Sequence, residues 1–290
     1  MEFRVLQYFL AVTREQSISG AADALHLSQP TLSRQLHELE DELGKQLFIR
    51  GHRKITLTEE GMILRKRAEE ITTLMQMAKD EISLADRSLS GDVYIGAGET
   101  QAVRYLSCAA KGLQEEYPQI RYHIASGDTI DVIEHLDRGL IDFGLVFGGL
   151  DTSKHEYITL PVKDTYGILM RRDSPLAKKT DIEPTDLWDK PIIFNRNTKD
   201  GSALTRWLRK RLFELNIIST YNLLYNGSLM VEEGLGYAFA LNGIINTQGS
   251  PLCFRPLSPP LEAEIYVIWK RYQVLSKPAE KFLLKLQGLL

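Results

Sequence analysis

The stretch from Ser28 to Leu43, SQPTLSRQLHELEDEL, constrains the architecture of this chain more than any other segment. Ser28 is suited to cap a helix and Pro30 to enter its first turn. Leu32, Leu36, Leu39 and Leu43 recur at three- and four-residue steps, so one face of that helix must be buried. Just upstream, Gly20 to Leu25 reads as a short helix whose Ala21, Ala22 and Ala24 let a second helix come close, as a helix-turn-helix requires. Phe3, Leu6, Phe9, Leu10 and Thr13 mark an amphipathic helix before it, and Ser17-Ile18-Ser19 turns the chain between the two. Downstream, Gly44 stops the helix, and QLFIR and KITLT read as strands around Gly51-His52, a β-hairpin wing.

A helix start offers free N–H groups and a positive partial charge, and a helix fits the major groove of DNA. Gln29 and Arg34 can reach base edges, while Ser28, Thr31 and Ser33 suit phosphates, with Pro30 in the same turn. From Gly44 to Thr58 there is no acidic residue, yet Lys45, Arg50, Arg53 and Lys54 fall there with His52. Arg50, His52 and Arg53 therefore belong to a wing that lies where a minor groove or backbone would pass. Double-stranded DNA is the expected partner of this segment.

The next segment reads as one long helix from Thr58 to about Leu89, with Glu59 and Glu60 in its first turn, where the helix dipole favours acids. Leu64, Ala68, Ile71, Met75, Ala78, Ile82, Ala85 and Leu89 step by four and three throughout, a heptad seam. A core-facing helix has a wider apolar stripe, so Leu64 to Ala85 are read as a dimerisation seam. A hinge is expected around Ser88 to Asp92.

From about Val93 strands and helices alternate. VYIGA (93–97), RYHIA (121–125) and FGLVF (143–147) read as strands, with helices over Val103 to Glu116 and Ile130 to Gly139 between them. The pattern recurs with PIIFN (191–195), a helix around Ala203 to Leu215, YNLLY (221–225), a helix from Ser228 and YAFAL (237–241). The run LDRGLIDFGLVF is echoed by MVEEGLGYAFAL. Two α/β halves built alike imply two lobes with a cleft between them. The strand EIYVIWK and the helix PAEKFLLKLQGLL are expected to return to the first lobe.

Bulk composition narrows the function classes. At 290 residues, 43% hydrophobic and 25% charged, the chain has enough apolar mass for two folded domains. No apolar run approaches the roughly 18 residues a membrane span needs. The start, MEFRVLQYFLAV, carries Glu2 and flows into a helical pattern, so no signal peptide is expected. Two distant cysteines, Cys108 and Cys253, imply no disulfide framework and fit a reducing cytoplasm; they form a redox pair only if the fold joins them. GAGETQ lacks the third glycine of a dinucleotide loop, there is no G-x-S-x-G elbow or P-loop, and the six histidines show no metal spacing. No catalytic site, cofactor or metal is expected.

The run FLAVTREQSISGAADALHLSQPTLSRQLHELEDELGKQLFIRGHRKITLTEEG resembles the DNA-binding domain of LysR-type transcriptional regulators. It follows the family pattern Ala-Ala-x-x-Leu-x-x-Ser-Gln-Pro-x-Leu-Ser-x-Gln-Ile-x-x-Leu-Glu-x-x-Leu-Gly-x-x-Leu-Phe-x-Arg almost throughout, with Leu36 in place of the usual isoleucine. The resemblance implies an α/β chain: a winged helix-turn-helix over 1–58, a linker and dimerisation helix with its hinge over 59–90, and a two-lobed effector domain over 91–290. That last part would have the fold of type 2 periplasmic binding proteins, lobe one at about 91–161 and 265–290 and lobe two at about 162–264. The resemblance further implies a homodimer or homotetramer that binds promoter DNA and answers to a small molecule between the lobes.

In such a fold ligands meet strand ends and helix starts. Those places are Thr100 and Gln101 after Glu99, then Ser126 and Thr129, Phe147, and in lobe two Phe194, Asn195 and Arg196, then Asn226 and Ser228. Arg196 would suit a small carboxylate, the effector class of many family members, whereas Glu99 and Asp128 would repel one, so the effector's charge stays open. A solute-binding protein is the alternative that the two lobes alone would suggest; the helix-turn-helix and the expected lack of a signal peptide disfavour it.

Overall fold

The computed structural model describes residues 1–51, 54–83, 89–148 and 150–290, the side chains of residues 50, 80, 81 and 83 excepted. The chain divides into two compact units, Met1–Asp86 and Arg87–Leu290.

The first unit is built from α1 (Phe3–Glu15), α2 (Ile18–Ala24), α3 (Gln29–Leu43), the strands β1 (Phe48–Arg50) and β2 (Ile55–Leu57), and α4 (Glu59–Ser83). Ser17 caps α2 by accepting from the Gly20 N–H, and Ser28 caps α3 by accepting from the Thr31 N–H. Ala21 and Ala22 are fully buried, which allows α2 to sit close against its neighbours. Phe9, Leu32, Leu36, Leu39 and Leu47 fill one core, where the Phe9 and Phe48 rings lie 5.2 Å apart. Each such side chain contributes roughly 1.5–3 kcal/mol on burial. The Glu40 carboxylate ties the hairpin to α3, accepting from the N–H groups of Leu47 (2.7 Å) and Phe48 (3.2 Å). Phe48, Ile49 and Arg50 pair antiparallel with Leu57, Thr56 and Ile55.

Helix α4 starts where Thr58 accepts from the Gly61 N–H (3.0 Å) and donates to the Gln46 carbonyl (2.8 Å). A Cβ on Gly61 would lie 2.2 Å from the Leu47 carbonyl oxygen, so only glycine lets α4 pass this close. Ala68 is fully buried in the first unit's own core, with Leu64 packed beside it. These two seam positions therefore face their own domain and not another subunit, which corrects the heptad reading over the first two turns of the seam. The Lys79 ammonium lies 5.6 Å from the Phe3 ring centre, a further tie between α4 and α1.

The second unit holds β3 (Gly91–Ala97), α5 (Val103–Glu116), β4 (Ile120–Ser126), α6 (Thr129–Asp137), β5 (Phe143–Phe147) and the 17-residue β6 (His155–Arg171). It continues with β7 (Ile192–Asn195), α7 (Ala203–Leu208), β8 (Ile217–Tyr221), α8 (Leu224–Glu232), β9 (Tyr237–Leu241), β10 (Leu252–Pro256), β11 (Glu262–Lys270) and α9 (Lys277–Gln287). The strand order is β4-β3-β5-β11-β6-β9-β7-β8, with β10 also on β6. The two halves repeat one plan: β3 runs parallel to β4 and β5, and β7 runs parallel to β8 and β9.

Strand β6 passes from one half to the other. Its residues from His155 to Thr165 pair with β11, and those from Tyr166 to Leu169 pair with β9. Pro161, which has no N–H to give, falls where the β6–β11 register shifts. One core gathers Val93, Ile95, Leu106, Leu113, Phe143 and Phe282; a second gathers Ile168, Ile192, Phe194, Trp207 and Phe239. Strands β6 and β10 are absent from the sequence reading. Strand β8 lies four residues earlier than YNLLY, so α8 begins at Leu224 rather than at Ser228.

Replacing Gly61 by Ala should force α4 away from Leu47 and destabilise the first unit by about 2–3 kcal/mol. Chemical unfolding followed by circular dichroism checks this. A variant as stable as the parent would show that the close approach is not a constraint.

Candidate functional site

In the first unit the surface is polar where α3 begins. Ser28, Gln29, Pro30, Thr31 and Arg34 are exposed and Ser33 is half-buried, because Leu32, Leu36 and Leu39 take the opposite face inward. The Ser28 and Thr31 hydroxyls lie 2.7 Å apart. Arg34 has Glu38 at 3.7 Å, a loose ion pair in solvent that a stronger anion can displace. A shallow groove between α3 and the hairpin is lined by Gln29, Ser33, Arg34, His37, Lys45 and Gln46. The Arg50 side chain, His52 and Arg53 of the expected wing lie outside the described residues.

Beyond Ala68, α4 leaves Ile71, Leu74, Met75 and Ala78 on the surface, and Ile82 is 79% exposed. Met62 and Ile63 are exposed at the start of the same helix. Ala85 lies outside the described residues.

In the second unit a cavity of about 430 Å³ opens between the two halves. Thr129, Phe147 and Asn195 line it, together with Glu99, Asp128, Lys199, Tyr166, Tyr221 and Phe239. Seven other expected residues do not. The Thr100 side chain is buried, its hydroxyl accepting from the Ala102 N–H (2.9 Å). Ser126 is exposed at the end of β4, outside the cavity. Phe194 is core, its ring stacked on Phe239 with centres 4.7 Å apart. Asn226 and Ser228 sit inside α8 and Ser228 donates to the Tyr225 carbonyl (2.7 Å), a consequence of the earlier helix start.

Gln101 and Arg196 cross the cleft instead of lining it. Gln101 Nε2 donates to the Gly243 carbonyl at 2.5 Å. Arg196 Nε donates to Asp128 Oδ2 (2.9 Å), and its Nη2 reaches both oxygens of Asp131 (2.8 and 2.9 Å). A third crossing joins the Glu99 carboxylate to the Leu224 N–H at the head of α8. Asp128 is buried and also caps α6, accepting from the N–H groups of Ile130 and Asp131. Burial pushes its carboxyl up, but the Asp131 N–H and the Arg196 guanidinium outweigh this and hold it below the usual aspartate range. The D-x-x-D spacing of Asp128 and Asp131 forms the capping box and is visible in the sequence; the Arg196 partnership across 68 residues is not.

The sequence model of the LysR substrate binding domain matches residues 86–288. That of bacterial regulatory helix-turn-helix proteins of the lysR family matches residues 3–62. The chain is 29% identical to the DNA-binding transcriptional dual regulator OxyR of Escherichia coli K12 over 205 residues, 70% of this chain. That match spans 66% of the relative's own length. It is 33% identical to the transcriptional regulator IlvY of the same strain over 213 residues, 72% of this chain and 71% of that protein. Among solved structures, CbnR, a LysR family transcriptional regulator, superposes with a TM-score of 0.74 over 99% of both chains at 17% identity, which establishes a shared fold.

Because the Asp128 carboxyl is easier to ionise when folded, its clasp contributes fully above the unfolded value of 3.8 and is lost as pH falls through the folded one. Stability of the second unit should therefore drop below about pH 4, and Asp128→Asn should flatten that acid limb while lowering stability at neutral pH. Trp188, Trp207 and Trp269 all lie in this unit, so tryptophan fluorescence during urea unfolding reads it selectively. An unchanged acid limb in the variant would remove Asp128 from the account.

Proposed function

The chain belongs to the lysR family of bacterial regulatory helix-turn-helix proteins, and from that premise we propose that it reads promoter DNA with the start of α3 and answers to a small molecule held between its lobes. One observation carries the DNA assignment: Ser28, Gln29, Thr31 and Arg34 are exposed and Ser33 half-buried, while Leu32, Leu36 and Leu39 anchor the helix from its other face. Gln29 and Arg34 have the reach and donors for base edges; Ser28, Thr31 and Ser33, beside Pro30, suit phosphates. Arg50, His52 and Arg53 would clamp the backbone from the wing.

The cleft supports the effector assignment. Thr129, Phe147 and Asn195 supply polar and aromatic groups from both lobes to one cavity. A ligand there can favour one lobe arrangement only by binding it better than the other. The exposed apolar run of α4, from Ile71 through Met75 and Ala78 to Ile82, would be covered by a second copy, giving a homodimer or a tetramer of two such dimers. Among the described residues no helix is long and apolar enough to cross a membrane, and a cytoplasmic regulator fits that.

Footprinting on the DNA upstream of the chain's own gene tests the first assignment. Gln29→Ala or Arg34→Ala should each cost roughly 1–3 kcal/mol and relax base discrimination. Unchanged affinity and selectivity in both variants would remove α3 as the reading element. For the assembly, Ile71→Asp or Met75→Asp would place a charge in the covered seam, at a cost that separates the copies. Sedimentation should show smaller species, and wild-type assemblies in both variants would show that this face is not the interface.

A further inference from the structure

The geometry points to a small ammonium-bearing molecule with an apolar body as the class of ligand this cleft takes, an inference that rests on the cleft being the effector site. Glu99 decides the charge. It is half-buried, lines the cavity, and uses one carboxylate oxygen to hold the Leu224 N–H of the opposite lobe. Leu223, which precedes α8, offers no side-chain cap, so Glu99 already fills the seat an incoming carboxylate would seek. Its second oxygen is left for a donor, and a cationic donor gains most from it.

The cations near the cleft do not reverse this. Arg196 is already met by two carboxylates, its Nε donating to Asp128 and its Nη2 to Asp131, all closer than 3 Å. Lys199 is exposed at the rim, where water and salt screen it. The rings of Phe147, Tyr166 and Tyr221 line the same cavity, and aromatic faces attract an ammonium while giving an apolar body something to pack on. The Tyr221 hydroxyl is occupied, donating to the Phe239 carbonyl at 2.6 Å, so its ring and not its hydroxyl is what a ligand meets. Burial, then the neighbouring Tyr166 and Glu99, push the Tyr221 phenol up, which keeps it neutral. The cavity of about 430 Å³ suits a small organic molecule.

Isothermal titration calorimetry of the full chain with three probes of one shape tests this: 3-phenylpropylamine, 3-phenylpropan-1-ol and 3-phenylpropanoate. The amine should bind roughly tenfold more tightly than the alcohol, and the carboxylate most weakly. Glu99→Gln keeps an acceptor for the Leu224 N–H and removes the charge, so the amine should lose its advantage over the alcohol. Tightest binding by the carboxylate, an unchanged preference in Glu99→Gln, or no binding by any of the three would overturn the ammonium assignment. Ala203→Trp, at an exposed position on the cavity wall, separates that failure from failure of the cleft itself. If it blocks whichever probe binds, the cleft stands as the ligand site; if binding persists, the cleft reading falls as well.

Discussion

Strand β6 is the constraint on which the second unit depends. Its three neighbours all run antiparallel to it, with β11 gripping its first eleven residues, β9 the next four and β10 its last five. The two cores are thus built on one continuous strand, and the space between them cannot be filled without breaking the parallel trio of either half. A cleft is the geometric consequence. What closes it is a different class of interaction: Arg196 on two aspartates, Glu99 on a backbone N–H and Gln101 on a carbonyl. Backbone ladders set where the lobes hinge, and exposed or half-exposed side chains set how far they open.

The first unit solves a different problem with similar economy. The α3 start must stay polar and accessible while its helix is held rigidly, and three leucines on one face achieve that. Glu40 then fixes Leu47 and Phe48, where the hairpin begins, to the same helix through two backbone bonds. Helix α4 divides its apolar residues between two tasks. Ala68 and Leu64 complete the core, and the residues from Ile71 onward are left on the surface.

Much of this was legible in the residues. Helix α5 and strands β5 and β9 occupy the spans that their periodicity and bounding glycines indicate, and the echo between LDRGLIDFGLVF and MVEEGLGYAFAL is a repeat of strand plan. Strand β6 was not legible because it crosses between two cores. Its buried residues change phase near Asp164, and Pro161 and Gly167 interrupt it, so no single alternation runs through its length. Strand β8 is hidden in the sequence because IISTY pairs two apolar with two polar residues and shows no alternation, while α8 opens after Leu223 without a capping side chain. The shift of four residues takes Asn226 and Ser228 into α8 and brings Tyr221 to the cavity. A heptad seam looks uniform in sequence, which cannot tell a position covered by its own domain, as Ala68 is, from one left on the surface, as Ile71 is.

The central claim is that the side chains crossing the cleft, rather than the shared sheet, set how far the lobes open. Electron–electron distance measurement between labels on Cys108, exposed on α5, and on a Phe213→Cys position in lobe two tests it directly, with labelled chain diluted into excess unlabelled chain. The parent should give one narrow distance distribution, and a variant carrying Glu99→Ala and Arg196→Ala should add a second, longer population. Identical distributions in both would contradict the account, because the sheet alone would then fix the separation of the lobes.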